Sequence, residues 1–221
     1  MTLTLISEFT LTVLPHLKTL FNTFVAIFVM VDPFAAVPIY LVLTERFTPL
    51  ETLRIRRKAV FIAGGILLVC AVTGMGVLNF FGISIPALRI SGGILLLKLA
   101  FEQMKGEDKI KEDEKAEGLQ REDISVVPLA MPLLAGPGAI STVIVESAAV
   151  KSLLNFSFVI LSIVLAMLVS YYTIKSSLAL NRYLGRTGLN LLGKLVGILI
   201  AGIAIQFILI GLKESFPKLW Q

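Results

Sequence analysis

Four runs without a charged residue dominate the chain: Ala59 to Leu88, Ile124 to Val145, Ser152 to Ile174 and Leu195 to Leu212. Each is close to or above the roughly 18 to 20 apolar residues that cross a bilayer as a helix. A first segment, about Pro15 to Leu43, is interrupted only by Asp32, and a further one, about Pro86 to Met104, carries Arg89, Lys98 and Glu102. The pattern predicts six transmembrane helices. The stretch 106–123, GEDKIKEDEKAEGLQRED, is the markedly polar part and mixes both charge signs. It divides the chain into residues 1–105, with three spans, a charged linker at 106–123, and residues 124–221, with three more.

The halves correspond. At an offset of 104 residues the pairs Ala26/Ala130, Pro33/Pro137, Ala35/Ala139, Leu88/Leu192, Gly93/Gly197, Ile94/Ile198, Leu95/Leu199 and Ala100/Ala204 match without a gap. A single offset aligns the proline of span 1 with that of span 4 and the Gly-Ile-Leu of span 3 with that of span 6. Three spans per half force the second half to be inverted in the membrane, so the expected fold is all-α, two inverted three-helix repeats. Helices 1 and 4 are the ones expected to be interrupted near the midplane. Proline lacks the amide donor and moves the preceding residue out of the helical region, which places breaks at Asp32-Pro33 and within Pro132 to Gly138. Irregular backbone at that depth persists only where protein or a wet cavity satisfies it. Two interrupted helices at corresponding positions point to a transporter's binding site. The half-helix ends there offer free amides to an anion and free carbonyls to a cation, a pairing that suits a zwitterion.

Composition agrees with a membrane protein: 56% of the 221 residues are hydrophobic and 16% charged. The net charge of +5 follows from topology. Arg46, Arg54, Arg56, Arg57 and Lys58 fall after span 1, Lys105, Lys109, Lys111, Lys115 and Arg121 after span 3, and Lys175, Arg182 and Arg186 after span 5; Lys18, Lys151, Lys213 and Lys218 fall on the other side. Positive charge is held on the cytoplasmic side, so the loops after spans 1, 3 and 5 are expected inside and both termini outside. The basic residues lie in short loops between spans, which argues against a nucleic-acid partner and leaves membrane lipids as the surroundings. The N-terminus has no basic region before an apolar core, so no removable signal is expected. His16 is expected at the outer boundary. The single Cys70 excludes an internal disulfide, and no metal or cofactor motif is present. Enzyme function is not expected: Asp32 has no second carboxylate in the interior of another span.

Asp32 admits two roles, an N-cap for the half-helix that starts at Pro33 and a proton or cation partner at depth. Arg89 is a candidate carboxylate or gating partner, and Lys98 and Glu102 form an i, i+4 pair. Gly193, Gly197 and Ala201, four residues apart, suit close helix packing.

The runs VDPFAAVPIYLVLT, RISGGILLL and PLAMPLLAGPGAIST resemble the signatures of the MarC family of six-span prokaryotic inner-membrane proteins, over essentially the whole chain. Family members usually carry glycine and a polar residue after the Asp-Pro or Asn-Pro and one apolar residue; Ala35 and Ala36 stand there in this chain. The family includes SnatA-type transporters of small neutral amino acids, and the resemblance implies transport of glycine and alanine here. The flanking Ala35, Ala36, Gly138 and Ala139 leave room for little more than a methyl side chain, which adds serine as the upper limit. The expected substrate site is Asp32, Pro33, Phe34 and Ala35 opposite Gly136, Pro137, Gly138 and Ala139, with hydroxyls from Ser141 and Thr142. Asp32 and Arg89 are the residues for coupling to a proton or sodium gradient or for gating. A channel or an exporter of another small solute is the alternative use of the same broken helices, and a homo-oligomer is compatible with either.

Overall fold

The computed structural model describes residues 2–105, 124–150 and 152–219, with side chains from residue 17 onward apart from those of Pro128, Arg186 and Leu219. The linker 106–123, Lys151 and the side chain of His16 therefore lie outside the described residues. The described elements are all helical: α1 (Thr2–Val31), α2 (Pro33–Thr44), α3 (Pro49–Phe81), α4 (Ile85–Lys105), the wide-turned α5 (Ser125–Leu134), α6 (Pro137–Ala149), α7 (Leu153–Lys175), α8 (Ser177–Ser215) and a closing 3-10 turn (Pro217–Leu219).

Local sequence explains the boundaries. Thr48 caps α3 and shares a reciprocal box with Glu51: the Glu51 amide donates to Thr48 Oγ1 at 3.4 Å, and the Thr48 amide donates to Glu51 Oε2 at 2.8 Å. Pro49 follows at the first helical position, where its missing amide costs nothing. Gly82 ends the helix in the left-handed conformation, φ 67°. Ser152 caps α7 by accepting from the Asn155 amide at 3.2 Å. Gly185, φ 63°, breaks α8 and separates a short leading helix from the long one.

Among the described residues four helical stretches are long and apolar enough to cross a membrane: Leu17–Thr44, Pro49–Phe81, Leu153–Lys175 and Thr187–Ser215. The bent pair α5 and α6, meeting at 57°, makes a fifth if counted as one span. Helix α4 has 21 residues, about 30 Å at 1.5 Å per residue. It falls outside the apolar set because it carries Arg89, Lys98, Glu102 and Lys105.

Lipid gives little hydrophobic drive between helices, so close approach of small residues has to hold them. The α4–α8 pair, the most extensive in the bundle, does this with glycine. A Cβ at Gly93 would meet the Ala204 carbonyl oxygen at 2.8 Å and Ile208 Cγ1 at 2.6 Å; one at Gly197 would meet the Ala100 carbonyl oxygen and Met104 Cγ, both at 3.2 Å. The second set is the first with every residue exchanged for the one 104 positions away. Gly202, on the same helix, has open space around it. Gly93→Ala is therefore expected to lower unfolding stability in detergent by about 1 to 3 kcal/mol, because backbone must move. Gly202→Ala should leave it unchanged or raise it.

Candidate functional site

Both breaks form where the sequence puts proline, and they differ in how they end. At the first, the Asp32 amide still donates to the Phe28 carbonyl of α1 at 3.0 Å, after which the chain turns. Asp32 takes the left-handed conformation, φ 45° and ψ 67°, and not the extended one expected before a proline. Both avoid the clash with the proline ring, and aspartate tolerates the left-handed region better than most residues. From there its carboxylate folds over the start of α2, where Oδ1 accepts from the Ala35 amide at 3.3 Å. The capping role is thus filled. Asp32 is 1% exposed, and its Oδ2 accepts from Gln103 Nε2 of α4.

At the second break, Met131 is extended before Pro132, and Val127 is extended before Pro128. The chain then passes Ala135 and starts α6 with Gly136 at the cap and Pro137 at the first helical position. Among the described residues no side chain caps Gly136. Asp32 and Gly136 are 104 residues apart, as are Pro33 and Pro137, and the two helix starts are capped differently. One is closed by its own carboxylate; the other presents its first-turn amides and the positive end of the helix dipole with no side-chain cap among the described residues.

A cavity of about 220 Å³ opens at this uncapped end, lined among others by Met30, Lys98, Glu102, Pro132, Gly136 and Gly138. That is below the roughly 300 to 1,000 Å³ of sites for drug-sized ligands. Lys98 Nζ and Glu102 Oε1 are 3.7 Å apart, with side chains 75% and 37% exposed. Gly138 keeps the approach of α6 to α4 short, since a Cβ there would lie 2.6 Å from Leu96 Cδ2.

Of the expected site residues, Gly136, Pro137 and Gly138 line this cavity. Ala139 and Thr142 are fully buried and Ser141 nearly so, one turn further along α6. The Thr142 and Ser147 hydroxyls have no hydrogen-bond partner among the described residues. From the first break Met30 reaches the cavity wall. Asp32 turns to Gln103, Pro33 is buried, and Phe34 packs edge-on to Phe28 with ring centres 6.2 Å apart. Ala35 contributes its amide to the Asp32 cap. The two breaks thus lean on one face of α4, at Gln103 and at Leu96, roughly 10 Å apart along its axis. Arg89 is engaged at the far end of α4, where Nη1 donates to Glu214 Oε1 of α8.

Three polar partners of these helices escaped the sequence. Gln103 is a neutral amide and carries no charge signal. Glu146 ends the apolar run of α6 and accepts from Thr23 Oγ1 of α1 at 2.9 Å. Glu214 lies past the last apolar run. An acidic residue at the end of a run was the available sign for the last two. Gln103→Leu removes the donor to the buried Asp32 carboxylate. It is expected to lower stability in detergent by about 1 to 2 kcal/mol, the upper part of the range for interhelical hydrogen bonds in membranes.

Residues 17–216 match a family model described as MarC family integral membrane protein. A UPF0056 membrane protein of Methanocaldococcus jannaschii is 37% identical over 194 residues, spanning 87% of this chain and 95% of that relative. The UPF0056 membrane protein YvbG of Bacillus subtilis is 33% identical over 202 residues, 90% and 96% of the two chains. YhcE of Escherichia coli, also a UPF0056 membrane protein, is 35% identical over 202 residues, 90% and 94% of the two. No solved structure matches.

Proposed function

Because the chain belongs to the MarC family of integral membrane proteins, we infer that it is a secondary transporter that carries small neutral amino acids, glycine and alanine first and serine at the limit of size, across the cell membrane. One observation carries this proposal: of two equivalent helix starts, the first is capped by the Asp32 carboxylate, while the second opens uncapped into a 220 Å³ cavity. A ligand carboxylate takes at α6 the place that the Asp32 carboxylate takes at α2, bonded to the first-turn amides and favoured by the helix dipole and by Lys98. The ligand ammonium finds Glu102, which lines the same cavity. Gly136 and Gly138 supply the floor, and a side chain longer than a methyl or hydroxymethyl meets Leu99 and Met30. Asp32, held by Gln103, is the residue proposed to couple the cycle to a proton or sodium gradient.

Six spans in two inverted repeats complete the proposal. It counts α4 as a span despite its charges and joins α1 with α2 and α5 with α6. The reciprocal contacts of Gly93 and Gly197 support it, as do matched packing pairs: α1 on α7 with α3 on α5, α2 on α7 with α3 on α6, and α2 on α8 with α4 on α6. The basic loops then face the cytoplasm and both termini the outside. In a Cys70-free background, an impermeant thiol reagent added to intact cells should label a cysteine at Ser215 and spare one at Gly118. The reverse pattern contradicts the orientation. For the substrate, equilibrium binding of the purified protein to each common amino acid is the test. Glycine and alanine are expected to bind and to compete with each other, and leucine and glutamate to do neither. If glycine and alanine fail to bind, the proposed substrate is wrong.

A further inference from the structure

A second cavity, of about 660 Å³, lies away from the breaks, in the groove between α3 and α7. Its long walls are apolar and face outward: Phe61 is 83% exposed, Leu168 51% and Val164 48%. Gly64 and Gly65 form its floor on α3. Gly64 lies against Met167, where a Cβ would meet Cγ at 3.2 Å, whereas Gly65 has nothing within 4 Å, so the groove is open at that point. Arg57 and Lys58 stand together at one end, with Leu68 and Ile163 at the other. Their neighbour Arg56 is not part of that cationic end: it turns over the Tyr171 ring, 4.9 Å from its centre.

From Arg57 to Leu68 is about 16 Å at helical rise. That is close to half of the roughly 30 Å hydrocarbon core, the depth of one leaflet. The groove thus has the length of one leaflet, an apolar wall on each side, and two positive charges only at the end where headgroups lie. We propose that the α3–α7 groove is a binding site for an anionic phospholipid, one acyl chain lying along Gly64 and Gly65 and the phosphate held by Arg57 and Lys58. The charges select the headgroup and the glycines admit the chain. A zwitterionic lipid carries its own cation next to the phosphate and gains less from the pair. The groove is separate from the cavity at α6, so this site stands whether or not amino acids are transported.

Native mass spectrometry of the purified protein, titrated with phosphatidylglycerol and with phosphatidylcholine of identical acyl chains, tests the site. Phosphatidylglycerol is expected to bind more tightly. Arg57→Gln with Lys58→Gln should weaken its binding about 30-fold, from two charges near the membrane surface, and leave phosphatidylcholine little changed. Gly65→Leu, which places its side chain in open space, should weaken both lipids. Gly76→Leu, also surrounded by open space but elsewhere on α3, should bind as the unaltered protein does. Inorganic phosphate should not displace the lipid. Equal binding of the two lipids, full retention of phosphatidylglycerol by the double charge variant, unchanged binding by Gly65→Leu, or displacement by inorganic phosphate each overturns the assignment.

Discussion

Gly138→Leu is expected to reduce glycine uptake to background, more than about 100-fold, in protein that still inserts and can be purified. The residue lines the cavity at the start of α6, and even a methyl group there would lie 2.6 Å from Leu96 Cδ2 and 3.8 Å from Leu99 Cδ2. The near atoms are the far ends of flexible side chains, so they yield, at an overpacking cost of about 1 to 3 kcal/mol. The remaining carbons of the leucine go where the substrate would sit. Displacement by an ångström alone is worth about two orders of magnitude in an organised site, and filling it is worth more. Packing and occupancy can be separated by combining Gly138→Leu with Leu96→Ala. The second change removes the clash, so stability should return while uptake stays at background. Recovery of uptake in the double variant would show that Gly138 serves only the fit of α6 against α4.

Asp32→Asn and Asp32→Ala are expected to behave very differently. Asparagine tolerates the left-handed conformation and caps a helix about as well as aspartate, so Asp32→Asn keeps the turn, the Ala35 contact and the fold. What it removes is the charge. If that charge couples transport to an ion gradient, Asp32→Asn retains amino acid binding and loses the response of uptake to an imposed proton or sodium gradient. Alanine loses the cap, the left-handed tolerance and the partner of Gln103 together, a cost on the order of 3 to 5 kcal/mol. Such protein should be recovered poorly or unfold at much lower temperature. An Asp32→Asn protein with wild-type ion dependence at every pH and sodium level would confine Asp32 to the cap.

The breaks were legible because proline acts locally: Asp32-Pro33 and Gly136-Pro137 stop a helix whatever surrounds them. The same rule applied to Pro128 and Pro132 would have located the extended Val127 and Met131, so the wide turns of α5 were within reach of the sequence. The 104-residue offset was legible too, and its Gly93 and Gly197 prove to sit where α4 and α8 lie tightly against each other. What the sequence could not give is what depends on two helices meeting. Gln103 reads as a mildly polar residue in a helix; it becomes the donor to Asp32 only once α4 lies against the first break. The difference between the two caps is written in the sequence, where Asp32 and Gly136 each stand just before a proline. Its consequence appears only where the uncapped end opens into a cavity. Arg89 illustrates the reverse case. Alone it looks like a candidate for a ligand carboxylate, and in the fold Glu214 occupies it.

In the proposed function the cavity at α6 holds glycine or alanine during transport. Uptake of radiolabelled glycine into liposomes containing the purified protein tests it most directly. Uptake is expected to saturate with glycine concentration, to be competed by unlabelled alanine, and to rise when an ion gradient is imposed. Uptake that grows linearly without saturation, or that excess alanine leaves untouched, would contradict it.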